Sequence, residues 1–87
     1  MKLYKKIEKC FPVIEKHFTK EYLLEFENTT VADLCLYHFS LGAWIRNNLL
    51  YSDESLLYDL FVENGIENPD DMSSIVIKLF HYHLYYE

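Results

Sequence analysis

The stretch TVADLCLYHFSLGAWIRNNLLY, Thr30 to Tyr51, decides how the rest of the chain is read. At the α-helical period, Leu34, His38, Leu41, Ile45 and Leu49 fall on one line, with Cys35, Gly42 and Arg46 beside them. Leu36, Phe39, Ala43 and Leu50 extend the apolar arc. Ser40, Asn47 and Asn48, with Tyr37 and Trp44 between them, leave only a narrow wetter wedge. A helix that is apolar round most of its circumference needs neighbours on most sides. The pattern therefore predicts one central helix at about 30–50, in an all-α compact bundle of four to five helices.

Upstream, Leu3, Ile7, Cys10, Phe11, Ile14 and Phe18 recur at helical spacing. Pro12 either opens a helix at Phe11 or kinks a longer one. Lys5, Lys6, Lys9, Lys16 and Lys20 form the solvated side, with His17 exposed beside them. Thr19 is placed to cap a short helix over Lys20–Glu27, whose inward face is Tyr22, Leu23 and Phe26. Thr29 or Thr30 caps the central helix, with Asp33 in its first turn.

Downstream, Ser52 or Asp53 caps a helix that buries Leu56, Leu57, Leu60 and Phe61. It ends at Asn64-Gly65, where glycine can take the left-handed conformation and Ile66 can close the cap. Asn68-Pro69-Asp70-Asp71 reads as cap, first-turn proline and two acids at the positive end of the last helix. That helix is expected to bury Met72, Ile75, Val76, Leu79, Phe80 and His83, with Ser74, Lys78, His81 and Tyr85 opposite. No alternating run bounded by turn residues competes for a strand.

Composition narrows the class. Eighty-seven residues fit a single helical domain over 1–87, and 51% hydrophobic with 25% charged residues is ordinary for a folded chain. The net charge is −6 but unevenly spread. Six Lys and two Glu give residues 1–20 a balance of +4, whereas Arg46 and Lys78 face twelve acids in residues 21–87. Such a body has few cations for a phosphate backbone, which argues against a nucleic-acid partner. It suits a basic protein better. Cys10 and Cys35 are too few for a disulfide framework and match no zinc spacing. The basic start is not followed by an unbroken apolar run, and no stretch reaches the length of a membrane span. A cytoplasmic protein with free thiols, no membrane association and no cofactor is the expectation.

Three motifs in order carry a resemblance. They are His38-Phe39-Ser40-Leu41-Gly42-Ala43-Trp44-Ile45-Arg46-Asn47-Asn48, then Gly65-Ile66-Glu67-Asn68-Pro69-Asp70-Asp71-Met72-Ser73-Ser74, then Phe80-His81-Tyr82-His83-Leu84. From about Glu25 to Leu84 the chain resembles a small bacterial domain family of unknown function. The first 24 residues lie outside the resemblance. The segment between Asn48 and Ser55 lacks the Trp/Gly-rich connection of many members. The resemblance implies a helical domain and no mechanism.

Two groupings could form a site. Arg46 on an enclosed helix needs acceptors, and Asp70 and Asp71 at the start of the last helix can supply them. This grouping reads as a structural clamp between helices or as an anion site. With His38 and His81 it could also line a small ligand pocket. No nucleophile–base pair stands at a distinctive spacing, so no catalytic residues are assigned. His81 and His83 lie about 200° apart on a helix and cannot chelate one metal ion. The second grouping is aromatic. Trp44, Tyr37 and Asn48 on the wetter wedge and Tyr82, Tyr85 and Tyr86 near the C-terminal end exceed what one core can cover, and they suit a partner interface. The sequence thus favours a non-catalytic interaction module, in the manner of an immunity or antitoxin-like inhibitor or an accessory subunit. Its partner is another protein, basic in character, or a second copy in a homodimer. The alternative is a small-ligand or anion-binding domain centred on Arg46, His38, His81 and Asp70.

Overall fold

The computed structural model describes residues 2–51 and 56–86. Its organising element is the last helix, α5 (Pro69–Tyr86), which touches every other helical segment. Around it lie α1 (Lys2–His17), α2 (Lys20–Glu27), a 3-10 segment (Val31–Tyr37), α3 (Leu41–Ile45) running into a π turn (Arg46–Leu50), and α4 (Leu57–Glu63). All regular structure among the described residues is helical, as the spacing predicts.

Phe80, on α5, is fully buried at the heart of the core. Phe11 of α1, Phe18 after it and Phe26 of α2 stand 5.6, 5.9 and 5.7 Å from its ring centre. Offset aromatic packing of this kind adds to the area each ring removes from water. α1 runs unbroken through Pro12, which lies exposed, and buries Leu3, Ile7, Phe11 and Ile14 at spacings of three and four.

Three of the predicted caps form where the sequence places them. Thr19 Oγ1 accepts from the Tyr22 amide at 3.2 Å. Asn68 Oδ1 accepts from the Asp70 amide at 2.8 Å, ahead of the first-turn proline. At Gly65, φ is +83°, and the amides of Gly65 and Ile66 donate to the carbonyls of Val62 and Phe61 at 3.0 and 2.9 Å. Those two bonds make a Schellman cap. The expected cap at Ser52 or Asp53 lies outside the described residues.

The predicted continuous helix at 30–50 is instead three pieces. Thr29 turns its hydroxyl back to the Glu25 carbonyl (2.9 Å), and Thr30 makes no side-chain cap. The tighter period of three then aligns Leu34 with Tyr37, both buried. Ser40, at φ −95° and ψ −83°, interrupts the path before α3 begins. The π turn closes with the Tyr51 amide on the Arg46 carbonyl at 2.9 Å. One extra residue in that turn brings Leu50 (2% exposed), rather than Leu49, into register with Ile45. A strict α period hides this shift, because it assigns the inward position to Leu49.

The burial of α5 also differs from its pattern. Met72, Ser73, Val76, Ile77, Phe80 and His81 are buried, while Ile75, Leu79 and His83 are only half-buried. The 3-10 segment and α3 cover the side that Ser73, Ile77 and His81 occupy, so two polar residues lie inside.

Candidate functional site

Arg46 leaves the end of α3 and crosses to the first turns of α5. Its side chain is 12% exposed. Nη1 donates to Ser73 Oγ at 2.9 Å, and Nη2 donates to the His38 carbonyl at 3.3 Å. The Ser73 hydroxyl in turn donates to the Asp70 carbonyl at 3.0 Å. The Asp70 carboxylate stands 3.6 Å from Nη1 and 3.9 Å from His38 Nε2, but it is 60% exposed. Solvent screening leaves such a carboxylate a weak partner. The clamp therefore rests chiefly on Ser73 and on the turn that carries His38. Gly42 makes room for it: a Cβ there would lie 3.1 Å from Nη1.

The structure brings Arg46, His38 and Asp70 together and separates the other two candidates from them. Asp71 faces a different cleft, beside Gly65, Ile66 and Lys78. His81 lies eight residues beyond Ser73, about 12 Å along the axis. It is buried, not on the wet side, and its Nε2 meets the Thr29 carbonyl at 2.8 Å while Phe26 packs edge-on against its ring. His81 thus ties α5 to the end of α2. His38 is half-exposed and outside the apolar core, because the chain turns before its side chain reaches the inner face. His83 packs its ring on Phe11 at 4.7 Å, on a different side from His81. Sequence reasoning missed Ser73. Its signal was position: it follows Pro69 by one helical turn and faces inward with Met72.

Among the described residues, no buried side-chain nitrogen or oxygen lacks a hydrogen-bond partner. No cluster of three or more His, Cys, Asp or Glu there has the arrangement of a metal site. Cys10 is half-buried; burial pushes its thiol above the ordinary range, against the opposing effect of Lys6, and it donates to the Lys6 carbonyl at 3.3 Å. Cys35 is exposed.

The aromatic candidates divide as well. Trp44 is half-buried, and the His17 ring at the end of α1 lies stacked over it at 4.2 Å. Asn48 is exposed but donates to the Trp44 carbonyl at 2.9 Å. Tyr37 is not on a surface wedge. It is 9% exposed, packs edge-on against Phe26, and lies with its hydroxyl 3.3 Å from Thr29 Oγ1. The 3-10 period turns it inward. Tyr82, Tyr85 and Tyr86 are 59–66% exposed.

Those tyrosines border the larger of two adjoining clefts between the 3-10 segment and α5, with volumes of about 650 and 440 Å³. Val31, Leu34 and Lys78 line both, which makes them one interrupted groove. Phe39 stands at the other end, 86% exposed, beside His38 and Cys35.

These features define a small all-α domain whose buried polar groups hold the scaffold together and which exposes Val31, Phe39, Tyr82, Tyr85 and Tyr86 along one groove. Residues 5–84 match the family described as Domain of unknown function (DUF6794), and the chain belongs to it. The match takes in most of α1, which the sequence resemblance leaves outside. No curated protein and no solved structure matches the chain. No described helix is long and apolar enough to cross a membrane.

Proposed function

We propose that this protein is a non-catalytic binding module that seats an apolar segment of another protein in the groove between residues 31–39 and α5. The observation that carries the reading is the exposure of Phe39, Val31, Tyr82, Tyr85 and Tyr86 along that groove. Large side chains left in water at one place gain most from burial against a partner. The acidic body favours a partner with a basic rim, as an inhibitor or accessory subunit would meet. The small-ligand reading centred on Arg46 has less support, because the guanidinium is already engaged by Ser73 and the His38 carbonyl.

The test compares capture from host extract by the wild-type chain and by Phe39→Asp and Tyr85→Asp, each first checked for an unchanged melting temperature. A partner retained by the wild type and lost with both variants supports the reading. A partner that binds all three equally refutes the placement in the groove.

A further inference from the structure

The lysines of α1 form a second surface, separate from the groove. At the α-helical period, Lys2, Lys5, Lys6, Lys9 and Lys16 fall within a wedge of about 100°, on the side away from Leu3, Ile7, Phe11 and Ile14. The ion pairs found among the described residues join Arg46 and His38 to Asp70, and no lysine takes part in one. Glu8 and Glu15 share the helix but stand outside the wedge.

This arrangement costs the free protein stability. Lysines three and four apart repel one another along the helix. Lys2 and Lys5 occupy the first turn, which holds no acid, so they face the positive end of the helix dipole. Neither acid of α1 is interleaved in this wedge. A stripe of uncompensated charge that weakens its own helix is relieved when an anionic partner covers it.

We infer that this lysine face docks a short acidic segment of a partner protein. Length decides between protein and other anions. From Lys2 to Lys16 the stripe runs about 21 Å, while the molecule is 34 Å long. A polyanion that continues past the stripe, such as a nucleic acid or an anionic membrane, meets a remainder of the chain in which two cations face twelve acids, and repulsion there offsets what it gains on α1. A segment of about four helical turns ends where the lysines end. The chemistry of the cations agrees. They are ammonium point charges that pair with single carboxylates, and the chain's only arginine, the side chain suited to bidentate phosphate contacts, is engaged inside the fold.

The test measures fluorescence anisotropy of a labelled oligoglutamate of about 16 residues, at about 20 and 200 mM NaCl, in parallel with an oligothymidylate of equal length and phosphatidylserine vesicles. The expected result is oligoglutamate binding that weakens at least about tenfold at the higher salt and again about tenfold in the triple variant Lys2→Glu, Lys5→Glu, Lys9→Glu. The corresponding triple Lys→Gln variant should weaken binding in the same direction while holding or raising the melting temperature, because repulsion along α1 is removed. Tighter binding to the oligothymidylate or the vesicles overturns the inference. So does oligoglutamate binding that survives both triple variants, or salt-sensitive association of the chain with itself.

Discussion

Arg46→Ala is the perturbation that most directly tests how the two halves of this domain are held together. The guanidinium makes one short bond to Ser73 (2.9 Å) and one longer bond to the His38 carbonyl (3.3 Å). Hydrogen bonds with a charged partner contribute about 1.5–3 kcal/mol each when well formed. We take about 2 kcal/mol for the short one and about 1 for the long one. The Asp70 carboxylate adds less than about 0.5 kcal/mol at its exposure. Removing Arg46 leaves the Ser73 hydroxyl bonded to the Asp70 carbonyl, so no large penalty for an orphaned group is added. The expected loss is about 3 kcal/mol, from a total of about 4–13 kcal/mol for a chain of this length. An unfolding entropy of about 2.1 cal/mol/K per residue converts this to a fall of about 15 °C in melting temperature. Circular dichroism at 222 nm during heating reads it directly. Arg46→Lys should recover less than half, because an ammonium cannot span both acceptors. Asp70→Asn should move the melting point by less than about 3 °C. The reasoning fails if Arg46→Ala melts within about 2 °C of wild type, or if Asp70→Asn costs as much as Arg46→Ala.

Further predictions concern the glycines and cysteines. Gly42→Ala gains about 1 kcal/mol of helix propensity but pushes on Arg46 Nη1, so it should destabilise the wild type by about 1 kcal/mol net and stabilise the Arg46→Ala background. The same sign of melting shift in both backgrounds would count against the contact. Gly65→Ala has open space around its new methyl but must hold φ at +83°, and should cost about 1–2 kcal/mol in urea unfolding, with Gly65→Asn less affected. For the thiols, burial favours the neutral form of Cys10 in the fold, so its share of stability is constant at neutral pH and declines as pH rises past the unfolded thiol's range. Iodoacetamide at pH 7.5 should accordingly modify Cys35 well before Cys10, and equal rates by peptide mass analysis would contradict the burial argument.

The fold class was legible because period, caps and punctuation agreed. Thr19, Gly65 and Asn68-Pro69 each carry a local mechanism that operates within a few residues, and each forms as read. The centre of the bundle was misplaced for the opposite reason. Residues 30–51 are apolar in more than one period at once: Leu34 aligns with Leu41 and Ile45 at 3.6 residues per turn, and with Tyr37 at three. Which period wins depends on what Tyr37 meets, and Phe26 and Thr29 of the preceding helix and turn supply that contact. The same dependence on neighbours hid the partners of Arg46 and His81. A pattern read along one helix cannot show that the Ser73 hydroxyl faces α3 or that the Thr29 carbonyl awaits an imidazole.

The broken central segment has a consequence for where binding can occur. A continuous helix at 30–50 would lay its apolar arc along α5 and leave no groove between them. Division at Ser40 instead sends the two halves to different tasks. Leu41, Gly42 and Ile45 pack inward and carry Arg46 to Ser73, whereas Val31 and Phe39 are left on the surface. His38 sits at the join, giving its carbonyl to the clamp and its ring to the smaller cleft. Occupation of the groove therefore bears on the turn that Arg46 holds. A partner seated against Phe39 that orders this turn should raise the melting temperature of the wild type more than that of Arg46→Ala, since binding stabilises only what the free chain still holds in a competent form. Equal stabilisation of the two proteins would mean that groove and clamp are independent.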